Sequence, residues 1–261
     1  MSQQNPGNPM KQPDSDGPEG TISLQSISRN LLVHLQRQYD ILAFTLANLR
    51  GEDPSAYDLY SAIARVMPAP KAHLTHGQMR AYSRALLQRT AVNDLLQLAA
   101  AGLDQCHLLC AFIQEKGNQT APNPEADQRV GKRQQAFARA KLQEKFETLE
   151  RDFGIINELE DALFSLAAAL RVLANGGQVT NDDISPDGTL VLDFKMVRDV
   201  DQDGKTQPKL TDVSRTFRPG EQLQLTDEEL IGLNITVAKF LDNLFRAVDQ
   251  YGTNALGGKN G

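Results

Sequence analysis

The chain has 261 residues, of which 40% are hydrophobic and 23% are charged. This composition is typical of a soluble globular protein with one large core or two small ones, and it excludes collagen-like and wholly disordered chains. The formal net charge of −6 provides no overall basic field, so any contact with nucleic acid depends on a local basic patch.

The N-terminus and the two cysteines indicate a cytoplasmic protein. Residues 1–20 are rich in proline and glycine and poor in apolar side chains, so we expect a disordered tail without a signal segment. No stretch reaches the roughly 18 uninterrupted apolar residues of a spanning helix, and we expect no membrane partner. Cys106 and Cys110 stand four residues apart in a helical pattern, which favours buried packing over a disulfide framework.

Residues 21–117 are predicted to be an N-terminal helical region. Apolar residues from Ile27 to Leu49 recur at helical spacing, and a shorter helix is expected over residues 53–66. Thr75 is placed to cap a further helix over residues 78–116.

Glycine and proline interrupt the middle of the chain. Gly102 lies inside the long helix predicted over residues 78–116, which is about the length of two ordinary helices, so we expect a bend there. Residues 118–127 contain turn-forming residues and two prolines. They are predicted to link two helical halves.

Residues 128–251 are predicted to be a second helical region. Apolar spacing indicates helices over residues 128–153, 157–173 and 230–248. Residues 252–261 contain four glycines and are expected to form a flexible tail.

One segment of the second region alternates in polarity with a period near two. The alternation from Thr189 to Val197 indicates a strand, residues 201–204 are turn formers, and Val213 to Phe217 can return as its partner. Thr226 and Glu229 then have the spacing of a capping box. The predicted fold is therefore an all-α helical bundle with a small β-hairpin insert between the last two helices.

Two patterns match parts of metal sites. The alternating aspartates of residues 199–203 match the first half of a calcium loop, but Leu210 stands where the bidentate glutamate is required. Cys106, His107 and Cys110 offer three soft ligands where structural zinc needs four. We expect a solvated turn at the first and core packing at the second, with no metal or other cofactor.

The sequence Arg29-Asn30-Leu-Leu-Val-His34 has the form R-N-x-x-x-H. It resembles the ribonuclease motif of HEPN domains, in which the Arg and His of two protomers surround a phosphodiester. This resemblance implies that His34 deprotonates a ribose 2′-hydroxyl while Arg29 stabilises the charged phosphorane. Arg29, Asn30 and His34 are accordingly the candidate catalytic residues of a metal-independent endoribonuclease that would act on RNA across a dimer.

A second resemblance covers roughly the last 110 residues. A helix ending at Asn175-Gly-Gly177, followed by the segment Gly220 to Thr226 before the last helix, resembles the C-terminal portion of HEPN-like bacterial proteins. In that family the helix before the glycine turn ends in R-N-x-x-x-H. Aligning the turns places Ala169 and Ala174 at the Arg and His positions, which implies that this copy of the catalytic pair is lost.

These observations favour one function and leave a second open. The first is a non-catalytic helical interaction or assembly module related to HEPN-like proteins, of the kind found in bacterial stress or phage defence. The resemblance implies that such a module forms a homo-oligomer, expected to be a two-fold dimer, and binds protein partners. The leucine- and alanine-rich face of residues 163–173 agrees with a dimer because it needs a covering helix, although packing within the chain could cover it instead. The alternative is the endoribonuclease that uses Arg29 and His34.

Overall fold

The computed structural model describes residues 23–35, 75–117, 123–202 and 205–257. Within these ranges the chain has six helices and one hairpin, which confirms the predicted fold class. In chain order they are α1 (residues 24–35), α2 (His76–Lys116), α3 (Pro124–Arg139), α4 (Leu142–Phe153), α5 (Glu160–Ala174), β1 (Leu190–Gln202), β2 (Lys205–Phe217) and α6 (Asp227–Gly257). The predictions for residues 1–20, 36–49 and 53–66 lie outside the described residues.

Helix α2 is the longest element of the bundle, with 41 residues. The backbone N–H of Gln78 donates to Thr75 Oγ1, and the backbone N–H of Thr75 donates to Gln78 Oε1, so the predicted N-cap is confirmed. The helix runs unbroken through Gly102. A Cβ at Gly102 would lie 2.5 Å from Leu241 Cδ2, so this glycine allows α2 and α6 to pack closely.

The single helix predicted over residues 128–153 is wrong, because the chain forms α3 and α4 with a break between them. Lys141 is extended at ψ 159°, and its N–H donates to Glu144 Oε2 at 3.0 Å. This carboxylate caps a new helix start. Helix α3 already begins at Pro124, so the predicted linker over residues 118–127 includes the first turn of α3.

Helix α5 carries the apolar face that motivated the expected dimer. Leu163, Leu166, Ala169 and Val172 on this face are fully buried. They are covered inside the chain, because α5 packs against α2 and β1. The helix ends as predicted, with Gly176 and the following glycine at φ 94° and 83°.

Strands β1 and β2 form a two-stranded antiparallel hairpin, which is longer than predicted. Their register runs from Leu190 opposite Phe217 to Gln202 opposite Lys205. One face of the hairpin, its inner face, buries Leu192 and Phe194 against the bundle.

Helix α6 completes the bundle. Thr226 and Glu229 form the predicted capping box, with the Thr226 N–H donating to Glu229 Oε2 at 2.8 Å and the Glu229 N–H donating to Thr226 Oγ1 at 3.2 Å. The helix continues to Gly257, so residues 252–257 are helical where a flexible tail was expected. Helices α1 to α6 and the hairpin share one hydrophobic core, and α2 and α6 form its largest helix–helix contact.

Helix α2 is also apolar enough to cross a membrane, judged by length and composition alone. An 18-residue window within it has a mean hydropathy of 1.4, and 44% of that window is buried inside the protein. The core helix of a bundle meets the same criterion, so the location of the protein stays a prediction.

Candidate functional site

The three candidate catalytic residues of the N-terminal motif lie on the exposed side of α1. Ile27, Leu31 and Leu35 form its buried stripe, while Arg29, Asn30 and His34 face solvent. In the described part of the chain these three side chains make no hydrogen bond or ion pair. Five residues correspond to about 500° of helical rotation, so Arg29 and His34 do not converge on one point within α1.

The positions aligned with the second, lost catalytic pair have two different environments. Ala169 is fully buried in the core face of α5, whereas Ala174 is exposed at the end of the same helix. An Arg side chain at the first position would displace core packing. Neither alanine can transfer a proton.

A polar cluster is buried where α2, α3 and α4 meet. His107 stacks on Phe137 with ring centroids 3.9 Å apart, and its Nδ1 lies 2.7 Å from Gln134 Oε1. The buried Lys145 forms an ion pair with Asp104. Burial lowers the pKa of His107, and each charged or polar group has a partner within the cluster, so the cluster holds the bundle together.

The two cysteines lie in the core next to this cluster, as predicted. Burial raises the pKa of the Cys106 thiol and raises that of Cys110 to about 12. Both therefore stay protonated at neutral pH, and a thiol in this form is neither a nucleophile nor a metal ligand. Among the described residues there is no group of three or more His, Cys, Asp or Glu side chains that could hold a metal ion.

The β-hairpin presents two edges with different environments. On β1, the N–H of Asp193 donates to Ser165 Oγ of α5 at 3.0 Å. The N–H of Lys195 donates to Thr236 Oγ1 of α6 at 2.8 Å. Hydroxyl groups of the two helices therefore accept hydrogen bonds from two backbone N–H groups on the edge of β1 that faces the bundle.

A glycine on α6 allows β1 to approach so closely. A Cβ at Gly232 would lie 2.8 Å from the Lys195 carbonyl oxygen and 3.0 Å from Phe194 Cδ2. The buried Thr236 follows one turn later, and its hydroxyl also donates to the Gly232 carbonyl at 2.8 Å. Gly232 and Thr236 together form the seat of β1 on α6.

No described residue pairs with the edge of β2 that faces away from the bundle. Asp193 and Lys195 direct their N–H groups away from β2, so their cross-strand partners Ser214 and Asp212 direct theirs away from β1. Along β2, the backbone N–H and C=O groups of every second residue therefore point away from β1. We call the outward N–H and C=O groups of Leu210, Asp212, Ser214 and Thr216 the outer edge of β2. Within the described residues these backbone groups make no hydrogen bond.

The hairpin face opposite the core, its outer face, carries a charged cleft that both strands line. The cleft has a volume of about 440 Å³ and lies between the hairpin and the start of α5. Its charged lining consists of the carboxylates of Glu158, Asp161, Asp193 and Asp212 and the ammonium of Lys195. Four negative charges against one positive charge make this cleft acidic.

An apolar pair lies farther along the outer face. Val197 and Leu210 are cross-strand partners, and they are 52% and 40% exposed. Pro208 is the next residue of β2 in the row that points away from β1, and it has no N–H that could donate a hydrogen bond. The outer edge of β2 therefore combines open backbone groups, an acidic cleft and an exposed apolar pair.

Comparison of the chain with protein-family models, with curated proteins and with solved structures finds no match.

Sequence reasoning identified the hairpin and missed its outer edge. A proline within a strand pattern is typical of an edge strand, so Pro208 was the available signal. The acidic cleft could not be predicted, because Glu158 and Asp161, at the start of α5, are distant in sequence from Asp212.

Proposed function

We propose that the protein is a non-catalytic interaction or assembly module related to HEPN-like proteins, of the kind that takes part in bacterial stress or phage defence. The observation that carries this proposal is the open outer edge of β2. A row of unpaired backbone groups is a template for another strand. Proteins usually cover or interrupt such an edge, as the Ser165 and Thr236 hydroxyls cover the edge of β1.

The remaining polar groups support a binding role over catalysis. Within the described residues, every buried side-chain nitrogen and oxygen has a hydrogen-bond partner. Catalytic sites commonly hold an acid or base whose partner is the substrate. Ala169, buried at a position where the family resemblance implies an arginine, agrees with the loss of catalysis.

The alternative function is a metal-independent endoribonuclease that uses the N-terminal motif. The observation in its favour is the exposure of Arg29 and His34 on α1, where a second protomer could complete a site. His34 would act as the base and Arg29 would stabilise the phosphorane.

Incubation of labelled RNA with the full chain in EDTA separates the two functions. The binding module predicts no cleavage by the wild type, by His34→Ala or by the control His76→Ala. Cleavage by the wild type and by His76→Ala that His34→Ala abolishes would establish the alternative. Cleavage that survives in His34→Ala would refute both the binding-only proposal and the assigned base.

A further inference from the structure

We propose that the outer edge of β2 binds an extended segment of a partner protein in which a basic residue is followed two positions later by an apolar residue. This inference rests on the proposed function and specifies the partner of the binding module. Three features of the edge carry it: its backbone groups, its charge and the position of its apolar pair.

The backbone groups require an extended strand as the occupant. Outward N–H and C=O groups recur at every second residue of the strand, at Leu210, Asp212, Ser214 and Thr216. The added strand pairs antiparallel, as β1 does on the other edge of β2. A helix has no free backbone groups with which to match them. Pro208 ends the row because it lacks an N–H, so the matching segment is about seven residues long.

The charge of the outer face selects a basic side chain. Asp212 pairs with Lys195 at 2.6 Å, yet its side chain remains 83% exposed and can accept a second cation. Asp193, Asp161 and Glu158 surround the same cleft. A lysine or arginine opposite Asp212 on an added strand would lie on this acidic face.

The apolar pair fixes the order of the two residues. Leu210 precedes Asp212 by two positions and points to the same face. In an antiparallel pairing the added strand runs in the opposite direction, so its basic residue comes first and its apolar residue comes second. That apolar side chain would cover Leu210 and its neighbour Val197.

A second copy of this chain is a poor occupant of the edge. Pairing of two β2 strands would join two acidic outer faces into one continuous sheet. Each cleft has four carboxylates and one ammonium, and like charges brought onto neighbouring strands oppose the pairing. The edge therefore favours a partner of different, basic sequence.

The test is a binding titration of the full chain with a fluorescein-labelled seven-residue peptide. Residues 1, 3, 5 and 7 of the probe, which lie opposite Thr216, Ser214, Asp212 and Leu210, are valine, threonine, lysine and isoleucine, and threonine fills the positions between them. One control peptide has glutamate in place of lysine, and another has the sequence reversed. We expect both controls to bind at least about threefold more weakly, because an exposed ion pair or one apolar contact contributes that much.

Two pairs of variants separate the backbone from the charge. Ser214→Pro removes one outward N–H, and we expect binding to weaken about tenfold, whereas Ser214→Ala keeps that N–H and should bind within about twofold of the wild type. Asp212→Asn should weaken binding about threefold. Asp199→Asn, which removes an exposed carboxylate on β1 away from the edge, should leave binding unchanged. A thermal melt checks that each variant is folded.

Each outcome supports or overturns the inference. Selective binding of the lysine probe, weakened by Ser214→Pro or by Asp212→Asn, supports it. Equal binding of all three peptides, or no binding by folded wild type at millimolar probe, overturns it. The RNA cleavage assay, which tests the proposed function, does not depend on this result. A fall in oligomer mass caused by Ser214→Pro would show that a second copy occupies the edge and would overturn the assignment of a basic partner.

Discussion

Individual side chains between α2, α3 and α4 combine charge with aromatic packing. Phe137 stacks on His107, and Lys145 Nζ lies 5.1 Å from the centre of the Phe137 ring. A neutral imidazole fits this environment, because burial opposes its protonation and lowers its pKa. The nearby Arg133 also lowers this pKa, whereas the hydrogen bond to Gln134 and the charges of Asp152 and Asp104 oppose the shift.

Protonation of His107 should make the fold sensitive to mild acid. Because its folded pKa lies below its unfolded value of 6.5, the stability it contributes is present above pH 6.5 and is lost as the pH falls below that value. We expect the melting temperature of the wild type to fall between about pH 7.5 and about pH 5.5, and His107→Gln to reduce this fall. The exposed His34→Gln serves as the control. An equal fall in all three proteins would contradict the role of His107.

At the scale of elements, local signals predicted helix ends and the hairpin, whereas contacts between elements decided the rest. The Thr75 and Thr226 capping boxes are readable because each involves residues three apart. The break before α4 was missed because Lys141 is not a usual N-cap residue, and its cap comes from the Glu144 side chain. No local signal distinguishes Gly232 from other helix glycines, because its role depends on the close approach of β1.

The seat of β1 on α6 should depend on the hydroxyl of Thr236. Thr236→Val keeps the shape of the side chain but leaves the N–H of Lys195 without its acceptor, and an unsatisfied buried donor costs about 1–3 kcal/mol. Urea unfolding should show this loss. Thr216→Val, at an exposed position of β2, should change stability by less than about 0.5 kcal/mol. Equal effects of the two variants would mean that the hydroxyl does not hold β1.

At the scale of the whole molecule, one core joins both halves of the sequence through α2 and α6. The predicted arrangement of a bundle with a hairpin is correct because periodicity reports which residues are buried. The candidate site was not predictable in the same way. The sequence predicted Arg29, Asn30 and His34 from a short motif. The outer edge of β2 depends instead on the register of two strands and on hydroxyl groups of two helices, and these contacts are not visible in the sequence.

Self-association through helix faces stays a prediction of the family resemblance. The apolar face of α5 is covered inside the chain, so a dimer has to use other surfaces. Light scattering at high micromolar concentration should give twice the chain mass of 28.7 kDa. Ser214→Pro should leave that mass unchanged, because the acidic outer faces oppose pairing of two β2 strands. A mass of 28.7 kDa for the wild type would reject the dimer.

Amide hydrogen exchange along the hairpin, followed by NMR, tests the open edge most directly. The account predicts slow exchange for Val213 and Arg215, whose N–H groups point toward β1. It predicts fast exchange for Asp212 and Ser214, whose N–H groups point away from β1. On β1, Asp193 and Lys195 should both exchange slowly, because α5 and α6 cap them. Adding the lysine probe should slow Asp212 and Ser214 selectively. Protection of Asp212 and Ser214 in the free protein, equal to that of Val213 and Arg215, would show that the edge is already covered and would contradict the account.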